Sequence, residues 1–288
     1  MVYETKLLDV AQADDWDGLV SAHPFGRGLV TSCSRRHWEL NGWSLHVVGL
    51  FADKVLRGGS AMVIKRIPRT PWSLARVEAL LMDAGDRSGS AVALLKGLER
   101  HARALGAAEI ELRVPIPESV PIDGVDYYPE LRDAVAGSSY EMGTFRPATY
   151  LVSLDADDEA LLGGYGSKCR RDVRKGLREG VAVEEMRKTE DIRLFFEARG
   201  RMAERKGLDH LSASAFETFL PMFERGYVRL FAAMHAGRTC NMALVDGLGM
   251  PRYTLGASMA AAFEKGTPPT GQPLHYEIMR WFRDRGAR

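Results

Sequence analysis

Residues Gly166–Gly180 read GSKCRRDVRKGLREG and put six cations, Lys168, Arg170, Arg171, Arg174, Lys175 and Arg178, into one short segment. The whole chain carries a formal net charge of only +1. Wound as a helix, the segment aligns Cys169, Val173, Gly176 and Leu177 at three- and four-residue spacing, a narrow apolar stripe suited to packing on a core. Lys168, Arg171, Lys175 and Arg178 share a second face, with Arg170 and Arg174 on the stripe's other flank. Only Asp172 and Glu179 stand against them. A solvated charged face is one reading. A surface for phosphate is the other, favoured by arginine, whose planar fork matches phosphate oxygens.

The neighbours of this helix set the fold class. Upstream, Thr149–Leu154 (TYLVSL) reads as a strand, and Asp155, Asp157, Asp158 and Glu159 form an acidic run that suits a helix N-terminus. Downstream, Val181–Glu184 reads as a strand, followed by helices at Asp191–Arg205 and Ser214–Glu224. Strands then recur at Val228–Met234, Asn241–Asp246 and Arg252–Ala257 before a last helix at Leu274–Arg285.

The first half follows a similar order. A strand is expected at Tyr3–Val10, then a helix opened by Ala13-Asp14-Asp15 and carrying Trp16, Leu19 and Val20. Leu45–Phe51 and Val55–Ile67 flank Ala52-Asp53-Lys54 as a hairpin, and Arg66-Ile67-Pro68-Arg69-Thr70-Pro71 breaks the chain. Gly89–Gly106 is a helix by period, with Val92, Leu95, Leu98, Ala102 and Leu105 on one face and Gly106 at its end. Glu109–Val114 alternates as a strand. Pro115–Pro129 reads as a connector, and Phe145-Arg146-Pro147 as a boundary. The expectation is an α+β chain of two similar halves, residues 1–147 and 148–288, without a close sequence repeat.

Composition narrows the class. Of 288 residues, 45% are hydrophobic and 27% charged, which is ordinary for a soluble globular protein. No apolar run reaches the ~18–20 residues of a membrane span, and the N-terminus lacks the apolar core of a signal peptide. Cys33, Cys169 and Cys240 are far apart, with no CxxC pair and no histidine cluster. They imply neither a disulfide framework nor a zinc site, and a reducing, cytoplasmic setting. No metal or cofactor is expected. A polyanionic partner would be held by a local patch rather than by the net charge.

Lys168-Cys169-Arg170-Arg171-Asp172-Val173-Arg174-Lys175, with TYLVSL before it and Gly180-Val181 after it, resembles the Fem family. Its members are non-ribosomal aminoacyltransferases that use aminoacyl-tRNA to build peptidoglycan cross-bridges, and their pattern is a strand, a K-x-R-R-x-(I/V)-R-K-A helix and a G-V lead into the next strand. Met202–Leu208 resembles the family's T-x-x-R-x-G-F helix end, and Tyr253–Ser258 its Y-x-x-G-A-S strand. Pro273–Glu277 through Trp281 to Gly286 resembles its P-x-L-L-x-W-E-x-I-x-W-A-x-x-x-G helix. The resemblance runs from about Ala148 to the end; before it, only Trp38 and Gly42-Trp43 match.

The resemblance implies two GNAT-like (acyltransferase-type) halves, the second incomplete at its C-terminus, because the family's D-x-x-G-G strand and F-K-x-x-F-G ending have no counterpart before Arg288. Either the chain is cut short or it resembles a compact branch, whose members add alanine to peptidyl-nucleoside antibiotics of the pacidamycin kind. The implied reaction moves an amino acid, alanine by that branch, from aminoacyl-tRNA to a free amine of a peptidyl acceptor, either an antibiotic peptidyl-nucleoside or a peptidoglycan precursor. Lys168, Arg170, Arg171, Arg174 and Lys175 would then meet tRNA or other phosphate. Arg205 matches the family arginine that binds the acceptor diphosphate, and Tyr253 would line the acceptor groove, although a buried strand tyrosine is the plainer reading. Arg35 and Arg36 lie near the family's N-domain lysine, but the alignment puts Asn41 there. No catalytic residue is assigned: Cys169 reads as packing, and His275 is a single histidine at a helix start.

Two other classes stay open. Arg87-Ser88-Gly89-Ser90-Ala91 resembles the CoA pyrophosphate loop of acetyltransferases, with one glycine where at least two would let backbone amides approach phosphate. That would make the chain a CoA-dependent GNAT N-acyltransferase. The basic helix alone would suit a non-catalytic RNA- or phosphate-binding module.

Overall fold

The computed structural model describes residues 1–114, 116, 121, 125–141, 151–207 and 214–287. Internal contacts divide the chain into two compact units, Met1–Ala148 and Thr149–Arg288.

In the first unit the elements run β1 (Glu4–Leu7), α1 (Ala13–Ala22), α2 (Arg35–Leu40), β2 (Ser44–Ala52), β3 (Val55–Arg66), β4 (Ser73–Leu81), α3 (Arg87–Ala104), β5 (Ala107–Leu112) and α4 (Tyr128–Ala136). The five strands pair in chain order, antiparallel except that β4 and β5 run parallel across the α3 crossover. The β2–β3 hairpin turns on Asp53 and Lys54, both left-handed (φ 51° and 66°), the twist a two-residue hairpin loop needs even without glycine. Gly106, at φ 77°, ends α3 as expected. Trp16, Phe25, Leu50, Met62, Leu80, Leu94 and Leu98 are almost wholly buried and form the centre of this unit.

Three elements depart from the sequence reading. β4 (SLARVEALL) is rich in helix formers and carries no strand signal. It lies between β3 and β5, and pairing on both edges overrides propensity. α2 is only six residues long, too short for a visible period. α4 begins where the connector was expected to end; Pro129 sits in its first turn, where a missing N–H costs nothing. Much of Pro115–Pro129, and the whole of Phe145–Pro147, lie outside the described residues.

The second unit runs α5 (Asp158–Gly163), α6 (Ser167–Arg178), β6 (Ala182–Met186), α7 (Thr189–Lys206), α8 (Ser214–Glu224), β7 (Val228–His235), β8 (Arg238–Asp246), β9 (Arg252–Ser258) and α9 (Gly271–Arg283). Its four strands form an antiparallel sheet in the order β6-β7-β8-β9. One face buries Phe231, Ala233, Ala243 and Val245 against Leu161 of α5, Val173 of α6, and Leu274, Ile278 and Phe282 of α9. α7 packs on β9 and α8 on β7. The acidic run opens α5 as expected, with Asp157 accepting a hydrogen bond from Ala160 N at 2.8 Å.

The strand expected at Thr149–Leu154 is corrected for its described part. Leu151–Leu154 is not a strand; Leu151 and Val152 lie exposed and only Leu154 reaches the core. Without a neighbouring strand to satisfy its backbone, an apolar run of this length anchors by single side chains. Thr149 and Tyr150 lie outside the described residues.

Candidate functional site

α6 is seated by its narrow stripe. Val173 is fully buried, and Gly176 lies where an added Cβ would come within 2.4 Å of the Pro269 carbonyl oxygen and 2.5 Å of the Pro273 ring. The helix therefore approaches the start of α9 at backbone distance, which only glycine permits. Cys169 is half-buried and Leu177 sits at the rim.

The cations sort into two kinds. Lys168, Arg171, Arg174, Lys175 and Arg178 are exposed. Arg171 has one loose ion pair, 3.6 Å to Asp172, with its side chain 72% exposed. Arg170 is half-buried instead, and its Nη1 donates to the carbonyls of Tyr165 (2.6 Å) and Gly163 (3.1 Å). This nitrogen ties the end of α5 and the α5–α6 loop to α6. The other five form a cationic face that needs no rearrangement to meet an anion.

A second cluster adjoins the start of α9. Two residues beyond Pro273, His275 packs edge-on against Tyr253 of β9, ring centroids 4.8 Å apart. Tyr253 is 52% exposed, which corrects the buried-tyrosine reading: β9 is an edge strand, so its outer residues face solvent. The Tyr253 hydroxyl lies over Gly256, where a Cβ would meet it at 2.1 Å. Arg199 of α7 donates to the Gly256 carbonyl at 2.8 Å. Six residues along α7, Arg205 lies exposed with its guanidinium 4.7 Å from the Phe263 ring centroid. The buried stripe of α6 thus packs against the start of α9, and His275 of α9 meets Tyr253 of β9, whose neighbour Gly256 is held by Arg199.

Electrostatics set the protonation of this cluster. Packing around the His275 ring pushes its pKa down although part of its surface stays open, and partial burial pushes the Tyr253 phenol up against the opposing pull of Arg199. At neutral pH the pair is an imidazole able to accept a proton and a phenol able to donate a hydrogen bond.

Arg199 escaped the sequence reading because nothing in its neighbours marks it; its role comes from β9 lying beside α7. Glu277, within the family-like motif of α9, is structural. It receives hydrogen bonds from Arg280 at 2.9 and 3.0 Å, and Arg280 with Arg283 clamps Asp158 of α5. Those arginines hold the Asp158 carboxyl below its usual range, Arg283 foremost.

The loop before α3 is closed. Asp86 caps the helix, accepting from Gly89 N at 3.0 Å, and an atom added at Gly89 would meet its carboxylate at 2.3 Å. A carboxylate thus occupies the place where a pyrophosphate would seek backbone N–H groups. Among the described residues, no three His, Cys, Asp or Glu side chains are grouped to hold a metal. No helix among them is long and apolar enough to cross a membrane.

The two sheet-and-helix units fit the two GNAT-like halves expected, the first with a parallel β4–β5 pair and the second with four antiparallel strands. The solved structure of FemX matches with a TM-score of 0.76 at 20% identity, covering 99% of this chain and 87% of that one. In sequence, the lipid II:glycine glycyltransferase of Staphylococcus aureus (strain bovine RF122 / ET3-1) is 24% identical over 224 residues, 75% of this chain and 52% of the relative. The same enzyme from strain USA300 matches equally. The chain spans about half the length of these curated relatives. No family model matches it. In sequence the chain is thus similar to Fem-type glycyltransferases, and it shares the fold of FemX.

Proposed function

We propose that this chain is an aminoacyltransferase that takes an amino acid from aminoacyl-tRNA and joins it to a free amine of a peptide-type acceptor. The observation that carries the reading is the contrast between two helices. α6 offers Lys168, Arg171, Arg174, Lys175 and Arg178 to solvent on a rigid seat, whereas the start of α3 is capped by Asp86. A nucleic-acid backbone needs the first arrangement; CoA pyrophosphate needs an open helix start. The glycyltransferase relatives, which act on lipid II, suggest a peptidoglycan precursor as acceptor and a small amino acid as cargo. Donor chemistry of this kind belongs to the cytoplasm.

In this reading the acceptor nitrogen attacks the ester carbonyl carbon, the C–N bond forms and the C–O bond to the ribose breaks. The amine loses a proton and the departing ribose hydroxyl gains one. The ester is already activated, so the protein's part is to orient the two substrates and stabilise the developing oxyanion. We assign Arg205 and Tyr253 to the acceptor side and propose that His275 takes the amine proton. Lys168, Arg171, Arg174 and Lys175 hold donor phosphates, while Arg170 keeps their helix in place. Alanine, implied by the compact branch, and glycine, in the relatives' name, are the cargoes to compare.

The test is transfer by purified protein from alanyl- or glycyl-tRNA to an amine-bearing muropeptide or peptidyl-nucleoside, without added ATP or metal. RNase treatment is expected to abolish product, and acetyl-CoA is expected not to replace the tRNA. RNase-resistant acylation supported by acetyl-CoA would overturn the reading in favour of the CoA-dependent class.

A further inference from the structure

The segment Lys65-Arg66-Ile67-Pro68-Arg69-Thr70-Pro71-Trp72 links β3 to β4 and takes no part in the site above. Along β3 every residue from Gly58 to Ile64 is buried, and the chain then turns outward at Lys65. Trp72 is 56% exposed and Ile67 40%. Lys65, Arg66 and Arg69 are exposed beside them, and no acidic residue occurs between Lys65 and Trp72.

The tip is held in shape. Ile67 N donates to the Trp72 carbonyl at 2.9 Å, Thr70 Oγ1 donates to the Ile67 carbonyl at 3.0 Å, and Trp72 N donates to Thr70 Oγ1 at 3.2 Å. Pro68 and Pro71 restrict the backbone further, and Arg69 takes the left-handed conformation at φ 63° that closes the turn. At the same end of the sheet, Lys65 Nζ sits 5.5 Å from the Trp43 ring centroid. Leu40, at the end of α2 three residues before Trp43, is also exposed.

An indole, an isoleucine and three cations on a preformed tip match a bilayer surface chemically. Tryptophan rests at the level of lipid headgroups, with one edge in apolar and the other in polar surroundings, and lysine and arginine meet anionic headgroups while their stems cover apolar surface. A soluble polyanion would use the cations, and a nucleic acid would stack a base on Trp72, but either would leave Ile67 in water. We propose that this β3–β4 tip docks the protein on an anionic lipid bilayer. The proposal stands independently of the transfer reaction.

The experiment is co-sedimentation of the full chain with phosphatidylglycerol vesicles and, separately, with phosphatidylcholine vesicles. Binding is expected only to the first, with a blue shift of tryptophan emission and quenching by brominated phosphatidylglycerol, both lost in Trp72→Ser. Each cation near an anionic surface contributes about five-fold to partitioning, so K65E/R66E/R69E, which reverses three charges, is expected to weaken binding by more than about a hundred-fold. All four positions are exposed, so the melting curves of both variants are expected to match that of the unchanged chain. The triple reversal K168E/R171E/K175E on α6 is the control for charge elsewhere, and the Trp72 signals are expected to persist in it. No binding to phosphatidylglycerol, equal binding to phosphatidylcholine, or a Trp72 signal unmoved by bound vesicles would each overturn the proposal. So would binding that depends on the α6 cations and is indifferent to the tip.

Discussion

Arg170 and Arg171 are neighbours of the same type on the same helix, yet their surroundings separate them. Arg170 gives its Nη1 to the carbonyls of Gly163, at the end of α5, and Tyr165, whereas Arg171 projects into water. Arg170→Ala is therefore expected to cost stability. Allowing for partial exposure, two charge-assisted hydrogen bonds are worth about 1–2 kcal/mol, a fall of about 3–6 °C in Tm. Arg171→Ala is expected to leave Tm within about a degree, since exposed ion pairs contribute little, and to weaken tRNA binding instead. Calorimetric melts of the two variants decide it: equal melting temperatures would return Arg170 to the free cationic face.

At the scale of the element, α6 divides its work by face. Val173 and Gly176 set its seat against α9, and the opposite side carries charge without touching the core. K168E/R171E/K175E reverses three exposed positions at i, i+3 and i+7. The far-UV spectrum is expected to persist, because only the last-turn lysine interacts favourably with the helix dipole, and that interaction is worth about 0.3–1 kcal/mol. Affinity for tRNA is expected to fall by more than about a hundred-fold, and the slope of log K against log salt to flatten by about two to three, as each lost phosphate contact releases one counterion fewer. Filter binding across a salt series measures both. An unchanged slope would remove α6 from the donor surface.

At the scale of the whole molecule, the two units are expected to answer acid differently. In the first, His23 is buried and its pKa is pushed down to about 4, chiefly by burial and against a backbone hydrogen bond at Met82. Its ordinary value is near 6.5. The unfolded chain therefore binds a proton that the folded unit refuses between those values. Stability is full above about pH 6.5 and declines as pH falls to about 4, by about 3 kcal/mol in all. In the second unit the lowered histidine, His275, keeps much of its surface open, and the other depressed groups are carboxylates. Hydrogen bonds from Arg283 and Arg280 lower Asp158, a two-pronged pair from Arg238 lowers Glu264, and hydrogen bonds from Arg187 and Arg229 lower Glu185 against its burial. Their contribution persists down to the ordinary carboxylate range and is lost below it. Trp16, Trp38, Trp43 and Trp72 lie in the first unit and only Trp281 in the second, so tryptophan emission follows mainly the first. Melts followed by emission between pH 7 and 4.5 are expected to fall in Tm with a slope that His23→Asn flattens. An unaltered slope would assign the acid sensitivity to another group.

Sequence alone determined the α+β class, the hairpin at Asp53-Lys54, the stop at Gly106, the acidic start of α5 and the cationic face of α6. Each is a local matter: the period of apolar residues, the few residues that tolerate a turn, and charge spacing along one helix need no distant partner. Tertiary structure decided the rest. β4 is a strand because β3 and β5 flank it, while Leu151–Leu154 is none because no described strand lies beside it. Arg199 meets Gly256, His275 meets Tyr253, and Arg170 leaves the free cations for the α5–α6 loop, because packing brings together residues that chain distance keeps apart. Backbone hydrogen bonds and close contacts go to whatever the fold places within reach, and that placement is a property of the packed chain, which no window of its sequence contains.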